Sequence, residues 1–314
     1  MVGYDATKTQ LTQSEHAVAG AMGGFITRAL TQPFDVVKIR FQLQVEPLSR
    51  KSVDSKYTGV IQAMRTILRE EGVIGLWKGH NAGQALSIIY GVVQFTVFEA
   101  LTRQADVHLS FGRSIHSHFL FGAIAGTAAT VTSFPFDVLR TRYIAQGNNK
   151  VYRNFFQSLN LLLRNEGPTA MFRGLSPSLI QVAPHSGAQF AFHNIFSRIV
   201  KKISWLSSDA NTLKLSGNLI VGSLAGLCAK TVVYPFDLAR KRLQLQGFHN
   251  ARKGFGKNFT CQGLISCLWL TTVNEGFLSL FKGLFPSMLK ASVTTGLYFT
   301  VYEETCKMIA LVRH

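Results

Sequence analysis

"PFDVVKIR", residues Pro33 to Arg40, closes an apolar run and reads proline, acid, base, base. The pattern returns as "PFDVLRTR" (Pro135 to Arg142) and "PFDLARKR" (Pro235 to Arg242). A period of roughly a hundred residues dictates architecture before any local feature does. Each copy also carries a glycine pair upstream of its proline, Gly20 and Gly24, Gly122 and Gly126, Gly222 and Gly226. GxxxG faces of this kind let membrane helices approach closely. Each copy ends in acid-Gly, four residues, aromatic-base-Gly: "EGVIGLWKG" (Glu71 to Gly79), "EGPTAMFRG" (Glu166 to Gly174) and "EGFLSLFKG" (Glu275 to Gly283).

Between these signals lie long uncharged stretches. Gly79 to Phe98, Ser114 to Phe136 and Gly174 to Ser197 hold no Lys, Arg, Asp or Glu. His16 to Phe34, Leu215 to Phe236 and Gly283 to Tyr302 are each broken once, by Arg28, Lys230 and Lys290. A helix needs about 20 residues to cross the hydrocarbon core, so the chain is expected to span a membrane six times. Segments such as "YTGVIQAMRTILREEG" have helical periodicity and suit the membrane surface. The expected fold is an all-α membrane protein with three repeats over about 14–105, 114–203 and 212–309, each with a short surface helix.

Composition agrees. Of 314 residues, 47% are hydrophobic and 16% charged, with a net charge of +17. The partner should be anionic. A basic nucleic-acid binder would share the charge but not six apolar spans. The chain has no Walker A loop, HExxH or GxSxG, so no enzyme chemistry or metal site is expected. The four cysteines (Cys228, Cys261, Cys267, Cys306) have no CxxC spacing and read as packing thiols. The first sixteen residues carry acids, one lysine and no apolar core, so targeting is expected to be internal.

Three two-helix units close most simply into a pseudo-threefold ring. Pro33, Pro135 and Pro235 would kink the odd-numbered spans. Just beyond them Asp35, Asp137 and Asp237 each precede a base by one turn: Lys38, Arg140 and Arg240. Three acids and three bases at one depth can pair between neighbours as a gate. Snorkelling charges at helix ends would explain one copy, but not the threefold register.

These motifs resemble the mitochondrial carrier family, whose signature is matched in all three copies over nearly the whole chain. The resemblance implies a monomeric six-helix carrier of the inner membrane, with both termini towards the intermembrane space. It also implies bound cardiolipin near the repeat junctions and transport by alternating access. It pairs Asp35, Asp137 and Asp237 with Arg140, Arg240 and Lys38 respectively, and makes Gln42 and Gln244 braces of that matrix gate. The second copy has Ile144 where the brace would be.

Charges inside a membrane are functional candidates. Arg28 and Lys230 lie five residues before their prolines, and Lys290 lies seven after Gly283. The same count gives Leu86 and Gln181, and the family resemblance makes these three positions substrate contacts. Three cations without an obvious acid at that depth suit a di- or triphosphate. Tyr90, His185, Gln189 and Tyr298 lie further along the even-numbered spans and could stack on or bond a heteroaromatic ring. His185 reads equally as a packing histidine beside Pro184. The stretches "MVGYD", "GHNAGQALSIIYGVVQF" and "GFHNARKGFG" are similar to the branch of the family that carries thiamine pyrophosphate. Adenine-nucleotide or deoxynucleotide exchange is the alternative, and nucleotides are the expected counter-substrate.

At the opposite end the resemblance predicts a cytoplasmic gate of aromatic-acid-x-x-base. "FEALTR" (Phe98), "HNIFSR" (His193) and "YEETCK" (Tyr302) depart from it, because each base arrives one residue late. Phe98, Glu99, Tyr302 and Glu303 remain, but Glu99 with Arg103 and Glu303 with Lys307 become i,i+4 pairs. Such pairs are worth about 0.2–0.5 kcal/mol within one helix. This gate is therefore expected to be weak.

Overall fold

The computed structural model describes residues 12–48, 55–108, 115–147, 150–204, 210–248 and 259–313. "MVGYD" and most of "GFHNARKGFG" lie outside them. The described residues form ten α-helices, with a single 3-10 turn in each repeat. The first repeat has α1 (Gln13–Leu43), α2 (Val60–Glu71) and α3 (His80–His108). The second has α4 (Ile115–Ala145), α5 (Phe155–Glu166), α6 (Leu175–Ile180) and α7 (Val182–Ser204). The third has α8 (Ala210–Gln244), α9 (Leu264–Glu275) and α10 (Leu284–Arg313).

The expected span from Gly174 to Ser197 is not one helix, because α6 and α7 meet at Gln181. Pro184 has no N–H to offer the Ile180 carbonyl, so the ladder loses a rung at this point. In α1, α4 and α8 the helix instead continues through Pro33, Pro135 and Pro235. The Ala29 carbonyl, four residues before Pro33, accepts a hydrogen bond from the Trp77 indole at 2.9 Å.

Long helices pack chiefly between repeats: α3 along α4, α7 along α8 and α10 along α1. The C-terminal ends of α1, α4 and α8 also touch one another. A buried core of Val36, Val37, Leu43, Ile67, Val138, Leu139 and Leu162 lies at that end. Bulky apolar side chains such as Phe95, Phe119, Phe190 and Phe285 are exposed on the outside of the bundle. That arrangement suits lipid as the solvent.

Two stretches, 73–105 and 117–145, hold an 18-residue window apolar enough to cross a membrane, with mean hydropathy of 1.5 and 1.4. Of the other long helices, α1, α8 and α10 each carry a cavity cation, Arg28, Lys230 and Lys290 respectively.

The glycine pairs do not make the close helix contacts expected of GxxxG. A β-carbon at Gly24, Gly122, Gly222 or Gly226 would meet nothing within 4 Å. The tight glycines are those ending the aromatic-base-Gly motifs. Gly79, Gly174 and Gly283 all have positive φ, and a β-carbon there would lie 2.9, 2.9 and 2.8 Å from the carbonyls of Arg140, Arg240 and Lys38. Only glycine fits a left-handed turn pressed against a neighbouring backbone.

Candidate functional site

The three motif acids lie together where α1, α4 and α8 meet. Arg140 Nη2 donates to Asp35 at 2.5 Å, Arg240 to Asp137 at 2.8 Å and Lys38 to Asp237 at 2.6 Å. The three are not equivalent. Asp35 also accepts from Lys290 at 2.7 Å. Asp137 also accepts from Lys241 at 2.9 Å and from the Gln244 amide at 2.5 Å. Asp237 has Lys38 as its one ion-pair partner among the described residues.

Gln244 therefore reaches an ion pair. Gln42 does not, contrary to the expected second brace. Its amide donates to the Tyr234 hydroxyl at 3.0 Å, and Tyr234 donates in turn to the Lys282 carbonyl. The aromatic ring at 234 fills the space between Gln42 and the carboxylate side of the ring.

A second layer was not foreseen. Arg40, the last base of the first motif, forks onto Glu71 at 2.5 and 2.7 Å, and Lys78 joins from the other side. Arg142 with Glu166 and Arg173 repeats this, as does Arg242 with Glu275 and Lys282. Each clamp ties α1, α4 or α8 to the acid-Gly and aromatic-base-Gly ends of its own repeat. Burial pushes the Glu71 carboxyl up, but the Arg40 and Lys78 hydrogen bonds outweigh it and hold it below the ordinary range. Burial also pushes the Tyr57 hydroxyl up to about 12, against the pull of Arg40, so it stays neutral and accepts from Arg40. The signal was in the sequence, since an extra base and an acid recur in all three copies.

Two cavities open above the ring. The larger, 680 Å³, lies between α1, α3 and α10 and contains Arg28, Lys290, Thr27, Thr294, Gln84 and Tyr298. Arg28 Nε and the hydroxyls of Thr27 and Thr294 are buried there without a partner. These are donors that the protein itself leaves unmatched at the cavity wall. The other cavity, 410 Å³, contains Gln181, His185, Ser186, Lys230 and Asp237. There the Gln181 carbonyl oxygen is buried and unmatched, and can accept from an amino group.

Leu86 and Tyr90 line neither cavity. Gln84, Ser87 and Ile88 face the larger one from that helix. Two of the three cations are also less free than expected. Lys290 reaches down to Asp35, and Lys230 donates to the Ser287 carbonyl at 3.0 Å. A lysine's four-carbon stem spans more than a helical turn, which spacing alone does not reveal.

At the far end, Glu99 and Arg103 form an exposed i,i+4 pair at 3.4 Å. Lys307 bonds Glu304 at 2.6 Å, not Glu303 as expected. Neither pair links two helices. Phe98 packs on His118, while Tyr302 stacks on Tyr298 and bonds His16 at 2.9 Å, tying α10 to α1.

The family model described as "Mitochondrial carrier protein" matches residues 9–106, 112–204 and 211–311. The chain is 44% identical over 312 residues to the mitochondrial thiamine pyrophosphate carrier of Homo sapiens, covering 98% of this chain and 97% of that one. The bovine protein of that name is 44% identical over 317 residues, covering 100% and 99%. The Zea mays mitochondrial thiamine diphosphate carrier 1 is 37% identical over 309 residues, covering 91% of each.

Proposed function

The chain belongs to the mitochondrial carrier family, and on that footing we propose that it exchanges thiamine pyrophosphate for nucleotides by alternating access. It is a multi-pass protein of the inner mitochondrial membrane and a transporter of a small anionic solute.

The observation that carries the substrate reading is the distribution of unmet groups. Arg28, Lys290 and two unpartnered threonine hydroxyls share a 680 Å³ cavity, a size usual for small-molecule sites. They suit a pyrophosphate. Tyr298 offers its ring to a heteroaromatic, and the Gln181 oxygen offers an acceptor to an aminopyrimidine N–H. When a pyrophosphate arrives, Lys290 exchanges the Asp35 carboxylate for the ligand, which loosens the ring from above. Lys230 exchanges the Ser287 carbonyl in the same way. The ring pairs are formed, while the Glu99–Arg103 and Glu304–Lys307 pairs at the far end each lie within one helix, and on that footing the resting state opens away from the ring.

Proteoliposomes containing the protein and loaded with ADP are expected to take up labelled thiamine pyrophosphate. Uptake of ADP with none of thiamine pyrophosphate, under the same conditions, would make it a nucleotide carrier and overturn the substrate reading.

The carrier acts as a monomer with cardiolipin at the repeat junctions. A 410 Å³ recess formed by Arg173, Gly174, Gln246 and the start of α9 supports this. Gly263 caps α9 without a side chain, leaving its first N–H groups for a phosphate. Cardiolipin added to delipidated protein should raise Tm by several degrees, roughly the effect of 1–2 kcal/mol on a chain this size. An equal rise with phosphatidylcholine would argue against a specific headgroup site.

A further inference from the structure

Cys261 and Cys267 are free, buried thiols in one small cluster with Ala239 and Leu243, at the matrix end of the bundle. They are two of the four buried residues of that cluster. Cys261 precedes the cap of α9 and Cys267 sits in its first turn. The Gln246 amide donates to Cys261 Sγ at 3.6 Å. Arg242 lies over the Phe259 ring at 4.8 Å and donates to Thr271 Oγ1, which donates to the Cys267 carbonyl. Cys261, unlike Cys267, also borders the 410 Å³ recess assigned above to a lipid headgroup, so a small oxidant reaches this thiol first whenever no headgroup fills the recess.

We propose that Cys261 and Cys267 form a peroxide-responsive dithiol that closes into a disulfide across the start of α9. Nothing in transport requires two thiols in one cluster, and neither cysteine touches the cavity or the ring. The Cys267 S–H bond, with Arg242 and Gln246 nearby, holds the Cys261 thiol below its ordinary range, while Cys267 is raised. The thiolate is the attacking species, so the roles separate. Cys261 attacks one peroxide oxygen; the O–O bond breaks and the other oxygen leaves as water after taking a proton. The resulting sulfenic acid is attacked by Cys267, the S–S bond forms and a second water leaves with the Cys267 proton. Two thiols lose two electrons, and one peroxide becomes two waters.

The test uses the full chain in lipid-containing micelles, treated with hydrogen peroxide, alkylated and cut with trypsin. Residues 258–282 form one tryptic peptide carrying both cysteines. That peptide is expected to be lighter by two hydrogens, resistant to alkylation, and restored by dithiothreitol. Its formation should be about tenfold or more faster than oxidation of half-buried Cys228. Cys261→Ser should abolish the product, and Cys267→Ser should leave a sulfenic acid at Cys261 that dimedone captures. Alkylation of both thiols while Cys228 or Cys306 oxidises, or oxygen gain on both without linkage, would overturn the proposal.

Discussion

Lys290→Ala is expected to lower thiamine pyrophosphate uptake by about a hundredfold or more while protein yield and fold stay normal. Removing one member of a buried charge pair costs roughly 2–5 kcal/mol, and about 1.4 kcal/mol is a factor of ten. The fold survives because Asp35 keeps Arg140 at 2.5 Å after the lysine is gone. A second readout separates a lost ligand contact from a damaged gate. Thiamine pyrophosphate should raise the Tm of the wild-type protein, since it binds only the folded state. It should not raise that of Lys290→Ala, and Lys290→Arg should recover part of the shift. Ordinary uptake by Lys290→Ala at normal protein levels would remove this residue from the site.

The same lysine marks how far the sequence could be read. The threefold repeat, six spans and ring of charges followed from spacing, because a helix fixes which residues share a depth, whereas the order of partners came from the family resemblance. Gln181 and Lys290 followed from counting past Gly174 and Gly283. The same count gives Leu86, while Gln84 and Ser87 of that helix line the larger cavity. Thr27 and Thr294 were invisible to it, since a threonine in an apolar helix ordinarily bonds back to its own backbone. Thr31 does so, at 2.9 Å to the Thr27 carbonyl. The Asp35–Lys290 contact and the turn of Gln42 towards Tyr234 depend on side-chain reach across helices, and no periodicity reports that.

The ring's physical chemistry suits an element that must open. Taking ions out of water offsets most of their attraction, so a buried pair contributes little net stability and yet specifies its partner sharply. The ion pairs of the arginine clamps beneath, such as Arg40 with Glu71, lie within one repeat, but Arg142 and Arg242 also donate to the Gln244 and Gln42 carbonyls of neighbouring repeats, and those bonds must exchange when the repeats move apart. Ion pairs kept within each repeat, with exchangeable bonds between repeats, allow each repeat to rock as a body.

That division makes the three ring pairs unequal under charge reversal. Among the described residues Asp237 has Lys38 as its one ion-pair partner, so Lys38→Asp with Asp237→Lys re-forms the pair in the opposite sense. Uptake by this double variant is expected to return to within about tenfold of wild type, because two contacting sites couple and their losses do not add. Asp137 is held by Arg240, Lys241 and Gln244 together. Arg240→Asp with Asp137→Lys would leave the new lysine against Lys241, whose Nζ lies 2.9 Å from the present carboxylate. An uncompensated buried charge costs about 3–5 kcal/mol, so that double variant should stay about a hundredfold or more below wild type. Exchange in proteoliposomes, with each single and double variant at matched protein levels, measures both. Equal rescue at the two pairs, or rescue at Asp137 and not at Asp237, would mean that the ring does not carry its load unevenly.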